Sequence, residues 1–354
     1  MADVRTGLIT ALGALGAAGG LAYTARTFRL SQVAHLTGRF QSVSKQMGDD
    51  DPMVRVAGIH AMAQLADEWP GQRQTCIDVL CAFLRVNSTR SDDLRQERRT
   101  TLRIIKEHLR QEHGRVSWQE CEFDLTGAVL KEADFSEFTF AGARFIFDKV
   151  QFEEGVSFDK SIFTGGCVSF RGAKLLKPKS RVSFVKALFR GGKVVFDGVT
   201  FGDGEVHFDN AVFGSLCLVT FKDAQLGAGG SVYFTGATAQ GPGLSFADAS
   251  FCPSEKSSLV EFDRVTFSET VHFDRAKFQD DVNFGNATLT GANLIFTGAE
   301  LIGGRVSFDS AHFVDSTMNI KGVVAGAGRI DLRARADGTP EFISDDPVPG
   351  FVQL

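Results

Sequence analysis

The chain reads as a mainly β solenoid, preceded by an α-helical region and a candidate N-terminal transmembrane helix. Three observations carry this reading. The 354 residues hold 33 Phe against 2 Tyr and 2 Trp. Thirty of those Phe lie beyond residue 114. They recur in a two-part unit with a period of about twelve residues. An aromatic used so unevenly fills one recurring structural slot. The charge balance changes at the same place, from net +3 up to residue 114 to net −8 after it. The expected organisation is a candidate transmembrane helix over 6–25, a helical connector or cap over 26–114, a solenoid over 115–336 and a C-terminal tail over 337–354. The overall formal charge of −5 argues against a nucleic-acid partner reached through a basic surface.

Between Arg5 and Arg26 lie twenty uncharged residues, TGLITALGALGAAGGLAYTA. As a helix they span about 30 Å, the thickness of a hydrocarbon core. Large aliphatics are sparse (Leu8, Ile9, Leu12, Leu15 and Leu21), so insertion is marginal. Arg26, Arg29, Arg39 and Lys45 follow the segment, while Arg5 alone precedes it. For a single-pass cell-membrane anchor, the positive-inside rule places the bulk of the chain in the cytoplasm. A cleaved signal peptide and a soluble glycine-rich helix are the competing readings. Gly16 and Gly20 form a G-x-x-x-G that would let two such helices pair, a route to a homo-oligomer.

Leu30, Val33, Leu36, Phe40, Val43 and Met47 recur every three or four residues, one apolar stripe of a helix. Gly48-Asp49-Asp50-Asp51-Pro52 breaks it, and Asp51 with Pro52 starts a second helix. Trp69-Pro70-Gly71 ends that one. A third helix carries Ile77, Leu80, Phe83 and Leu84. A fourth, within 91–113, has Leu94, Leu102, Ile105 and Leu109 as its buried edge and Arg98, Arg99, Arg103, Lys106 and Arg110 as a solvated face.

Beyond residue 125 the chain repeats. Five-residue units come first, such as Ala133-Asp134-Phe135 and Ala143-Arg144-Phe145. Longer units follow: VSFDKSIF at 156–163, VSFVKALF at 182–189, VHFDNAVF at 206–213 and VHFDRAKF at 271–278, with a weaker one, VYFTGATA, at 232–239. In V-x-F the first and third side chains point the same way and the middle one points out. Gly, Asp and Asn crowd the gaps, where the chain turns. One unit cannot fold alone, because burying a large apolar side chain yields roughly 1.5–3 kcal/mol while ordering backbone costs about 1–2 kcal/mol per residue. Stacked coils must share a Phe column, which makes the fold a solenoid. If two units make one coil, a coil holds about 24 residues, which gives seven to eight coils and a rod of about 40 Å.

The run Ala128–Phe145 resembles the pentapeptide-repeat family, whose unit is A-(D/N)-L-x-x, and the later units resemble its Phe-rich branch. The resemblance covers about residues 121–333 and departs from the family where the gap is seven instead of five. It implies a right-handed quadrilateral parallel β-helix. The block Arg39–Arg85 is similar to the helical region preceding such repeats in membrane-anchored bacterial members. The anchor candidate, the rigid solenoid and the missing catalytic motifs together lead to the expectation of a non-enzymatic, membrane-tethered β-helical scaffold that presents a protein-interaction surface in the cytoplasm. Some members of the family mimic a DNA duplex and inhibit or protect topoisomerase (gyrase), the alternative reading.

Two gaps are oversized. One holds Lys177, Lys179 and Arg181, the other Pro253, Glu255 and Lys256. With two units per coil, both loops leave the same side of the rod, three coils apart. These six residues are the candidate interaction loops, since binding residues concentrate on loops held by a rigid scaffold. His207 and His272 fall in units of opposite parity and so on different sides. The Asp residues after the Phe centres (Asp159, Asp197, Asp209, Asp263, Asp274 and Asp309) read as turn formers. The six cysteines show no C-x-x-C pair and read as free, mostly buried thiols of a reducing compartment. No phosphate-binding, zincin, nucleophile-elbow or dinucleotide motif is present, so no catalytic residue, cofactor or metal is assigned.

Overall fold

The computed structural model describes residues 2–86, 94–110, 116–142, 144–253, 258–332, 338–345 and 349–354, with side chains from residue 20 onward. The chain divides into two compact units, 1–76 and 77–354.

In the first unit, α1 (Ala2–Met47) is one uninterrupted helix and α2 (Pro52–Glu68) follows it. Asp51 caps α2 by accepting from Met53 N at 2.8 Å, with Pro52 at its first position. A 3-10 turn at Pro70–Gln72 leads into α3 (Arg73–Val86). The expected stripe on α1 is only partly used. Leu36, Val43 and Met47 are buried, whereas Leu30 and Val33 are 62% and 50% exposed. The reason is length: α2 has 17 residues, about 25 Å of helix, and covers only the end of α1. The transmembrane expectation for 6–25 finds no support, because among the described residues no helix is long and apolar enough to cross a membrane. Gly20 has nothing within 4 Å of where a Cβ would sit, and the side chains around Gly16 lie outside the description.

The second unit is a four-sided parallel solenoid with α4 (Arg95–Leu109) against its first turn. Four sheets of 10, 9, 9 and 8 strands run the length of the solenoid. We number the faces in the order the chain meets them. Arg144–Ile146 lies on face I, Gln151–Glu153 on face II, Gly155–Ser157 on face III and Ile162–Phe163 on face IV, and Cys167–Ser169 returns to face I. Each strand pairs in parallel with its equivalent one turn on: Val156 with Val182, Val182 with Val206, Phe163 with Phe189. One V-x-F unit therefore makes two sides and two units make one turn. The ten strands of face I define about nine turns, more than the seven to eight expected. The extra turns come from both ends. The five-residue units at 122–146 already form faces, and within the tail Glu341–Ile343 pairs with Thr317–Asn319 and Val352–Gln353 with Ile330–Asp331.

Inside run two long Phe columns. Phe158, Phe184, Phe208, Phe234, Phe262, Phe284 and Phe308 stack with ring centroids 4.6–4.8 Å apart. Phe147, Phe170, Phe196, Phe221, Phe246, Phe273 and Phe296 form the second column. The columns meet edge to face, as Phe184 does with Phe196 at 5.5 Å. Such rings match the strand repeat of about 4.8 Å and bring a stacking term beyond burial. A shorter third column, Phe140, Phe163, Phe189 and Phe213, is interrupted by Ala239 of the weak unit, beside a void of about 10 Å3.

The corners that follow these rings are closed turns. In one, Ala187 N donates to Phe184 O and Lys186 takes φ 58°. All six Asp residues occupy turns as expected; Asp209, Asp274 and Asp309 bond locally, while the other three also reach the next coil. Asp159 accepts from Ser183 Oγ and from Val185 N, both one turn further along, and Asp197 accepts from Lys222 N. Asp263 likewise reaches Asn286 Nδ2 at 2.9 Å. The stacking of turns brings these partners within reach, so Asp159, Asp197 and Asp263 tie successive coils together.

All six cysteines are free, and Cys76, Cys81, Cys217 and Cys252 are buried. Burial pushes the Cys76 thiol up to about 11 and those of Cys81, Cys217 and Cys252 up to about 12. Since the thiolate is the reactive form, iodoacetamide at pH 8 is expected to label Cys121 and Cys167 in the folded chain and all six in urea. Labelling of Cys217 without denaturant would contradict the closed turns.

Candidate interaction surface

The two long loops leave the same corner of the solenoid. The strand Lys174–Leu175 pairs with Thr200–Phe201, which pairs with Gln225–Leu226, which pairs with Ser250–Phe251. All are on face II, and each chain then turns towards face III. The loops therefore project from the corner between faces II and III, three turns and about 14 Å apart at the strand spacing.

In the first loop Leu176, Lys177, Pro178 and Lys179 are exposed, while Ser180 is 4% exposed and anchors it. Ser180 Oγ accepts from Glu154 N at 3.2 Å, and its carbonyl accepts from Glu205 N at 2.9 Å. Lys177 Nζ lies 2.6 Å from Glu153 Oε1 of the preceding turn. Lys179 takes φ 67° and Arg181 opens the next strand on face III. The structure thus brings Lys177, Lys179 and Arg181 into one exposed basic cluster. Pro253 sits half-buried at the base of the second loop. Glu255 and Lys256 lie outside the described residues.

Sequence reasoning missed what lies between the loops. The intervening corners are Gly202-Asp203-Gly204 and Gly227-Ala228-Gly229-Gly230. A Cβ on Gly204 would lie 2.4 Å from Ser180 O, and one on Gly230 would lie 1.9 Å from Gly202 O. The turns pack here backbone on backbone, leaving a glycine floor. Leu176 leans over its edge, with Cδ2 3.3 Å from the Cβ position of Gly202. Beyond the second loop the same corner carries the exposed pair Asp280 and Asp281. The corner therefore runs from a basic end, across a glycine-rich floor that carries Asp203, to an acidic end.

Face III continues the surface. His207 stacks on Tyr233 with centroids 4.7 Å apart. Its Nδ1 is 2.7 Å from Asp209 Oδ2 and its Nε2 3.3 Å from Glu205 Oε2. His272 stands on face I beside Asp274, so the two histidines occupy different sides as expected. Among the described residues no group of three or more His, Cys, Asp or Glu is placed to hold a metal ion. The arrangement supplies contact chemistry: lysines and an arginine, an exposed leucine and proline, a stacked aromatic pair and a flat backbone floor.

A four-sided parallel β-solenoid with aromatic columns inside and short turns outside defines a repeat scaffold whose side chains for contact lie on its faces and corners. Residues 262–312 match the model of the pentapeptide repeats (9 copies) family. Two solved structures are similar. One is HetL, a pentapeptide repeat protein involved in heterocyst differentiation regulation from the cyanobacterium Nostoc sp. strain PCC 7120. It is 19% identical, with 62% of this chain and 85% of that one covered and a TM-score of 0.18. The other is QnrB1, a plasmid-mediated fluoroquinolone resistance protein, 15% identical, with 62% and 91% covered and a TM-score of 0.25. Comparison with the curated proteins finds no match.

Proposed function

We propose that the chain is a non-enzymatic binding scaffold that holds a protein partner along the corner between faces II and III. The observation that carries this reading is the exit of two oversized loops from one corner, three turns apart, flanking a glycine floor. A solenoid fixes that spacing through its strand pairing, so the points from which the loops leave are held in place before a partner arrives. The proposal places the scaffold in the cytoplasm, where six free thiols stay reduced. It does not require a membrane tether.

The test replaces Leu176–Ser180 with the three-residue corner Gly-Asp-Gly found one turn on. Full-length chain is expected to capture a specific partner from the source cell, and the shortened variant to lose it at unchanged far-UV circular dichroism. Equal capture by both would remove the corner from the reading. A gyrase supercoiling assay addresses the alternative of duplex mimicry. We expect no inhibition, because the corners interleave both signs of charge, with Lys160, Lys186 and Arg264 beside Asp159, Asp209 and Asp263.

A further inference from the structure

We propose that the cleft between α4 and the first solenoid turn is a binding site for a phosphate-bearing anion, a role separate from the loop-bearing corner. The cleft has a volume of about 450 Å3 and is lined by Arg99, Leu102, Arg103, Lys106, Glu132 and Asp134. A smaller hollow of about 20 Å3 shares Arg99, Leu102 and Glu132 with it and adds Arg95, Arg98 and Lys131. Together they gather six cationic side chains against two lining carboxylates; from outside the lining, Glu107 pairs with Arg103 at 2.8 Å, and Glu153 and Glu154 lie 3.8 and 3.7 Å from Lys131. Arg95, Arg99, Arg103 and Lys106 follow one another at helical spacings of four, four and three, so they form one row along α4.

Arg98 supplies an independent observation. It is 7% exposed. Its Nη2 donates to Val129 O at 2.6 Å, while its buried Nη1 has no acceptor. Glu132, the carboxylate lining both hollows, is engaged by Arg95 at 3.4 Å and Arg99 at 3.0 Å. Asp134 accepts from Ser136 N at 2.8 Å. A guanidinium stays charged even when buried, and a buried N–H without a partner is rare enough in proteins to call for an occupant. The small hollow has room for one water-sized atom. A phosphoryl oxygen there would accept from Nη1, and the wider cleft would hold the remaining oxygens against Arg99, Arg103 and Lys106. Arginine forks suit this geometry, pairing two N–H groups with two phosphate oxygens.

Soluble phosphates and anionic lipid headgroups offer this same chemistry, so the test has two arms. The full-length chain is titrated calorimetrically with inorganic pyrophosphate, and it is sedimented with phosphatidylcholine vesicles with and without phosphatidic acid. We expect saturable one-to-one binding of at least one probe, weakening as NaCl rises. Arg98→Lys keeps the charge and one donor for Val129 O but loses the fork, and should weaken binding about tenfold. Lys106→Gln on the half-buried rim, where the ammonium lies 5.6 Å from the Phe138 ring centroid, should weaken it about threefold. Glu132→Gln removes a competing carboxylate and should tighten binding, a change in the opposite direction to any damage to the fold. Binding of pyrophosphate identifies a soluble ligand, and binding of phosphatidic acid vesicles alone identifies a lipid headgroup. Absence of binding to both probes overturns the proposal. So does binding that is indifferent to Arg98→Lys and Glu132→Gln.

Discussion

Phe184→Ala is expected to lower the unfolding free energy by about 3–5 kcal/mol. Phe184 is 1% exposed. It stacks on Phe158 at 4.7 Å and on Phe208 at 4.8 Å, and it meets the edges of Phe170 and Phe196 at 5.8 and 5.5 Å. Truncation removes the buried ring and these aromatic contacts at once, together with a tilted one to Phe189 at 6.4 Å. The cavity that remains cannot close, because Val182 is locked in register between Val156 and Val206 and strand pairing holds the turns about 4.8 Å apart. A Leu at the same position fills most of the volume and should cost less than about 1.5 kcal/mol. Leu175 and Leu226 already fill ring positions on face II. Urea unfolding followed by circular dichroism reads both variants, as a lowered midpoint at unchanged slope. A loss for Phe184→Ala below about 1 kcal/mol would mean that this ring does not bridge its neighbours.

Gly230→Ala is expected to cost about 3 kcal/mol, at the upper end for overpacking. The added methyl would sit 1.9 Å from Gly202 O and 2.2 Å from Gly204 O. Both are backbone atoms of the preceding turn, and no rotamer change moves them aside. Relief requires the corner to part from its neighbour, which strains the hydrogen bond from Ser231 N to Gly204 O. Gly155→Ala is the control: its Cβ would meet nothing within 4 Å, and its effect should stay within about 0.5 kcal/mol. The same pair of variants reports on the proposed binding corner. Gly230→Ala disturbs the floor between the loops, while Gly155 lies three turns before it on face III.

Much of this was legible because a solenoid converts sequence period directly into position. Phe158, Phe184 and Phe208 share a column because each is the third residue of a V-x-F unit. The two long loops share a corner because both follow even-numbered units, a matter of parity. The number of turns was not legible. The tail strands at 341–343 and 352–353 lack the Phe unit and are held only by edges that earlier turns leave open. Arg98 was misplaced on a solvated face although a signal existed. Leu94, Arg98, Leu102, Ile105 and Leu109 form a single helical row, and the arginine in it is buried with the rest. Composition had grouped it with its charged neighbours, whereas spacing places it with the apolar ones.

By itself, then, the amino-acid sequence determined the repeat, the inward Phe columns and the side of the solenoid from which each loop departs, because these depend on alternation and count alone. The tertiary structure alone decided which backbones touch at the glycine corner, which carboxylates span successive turns and that a buried guanidinium lines the small hollow beside α4. Those contacts join residues about 25 positions or more apart, as with Asp159 and Val185 or Arg98 and Val129, and their distances exist only once the turns are stacked.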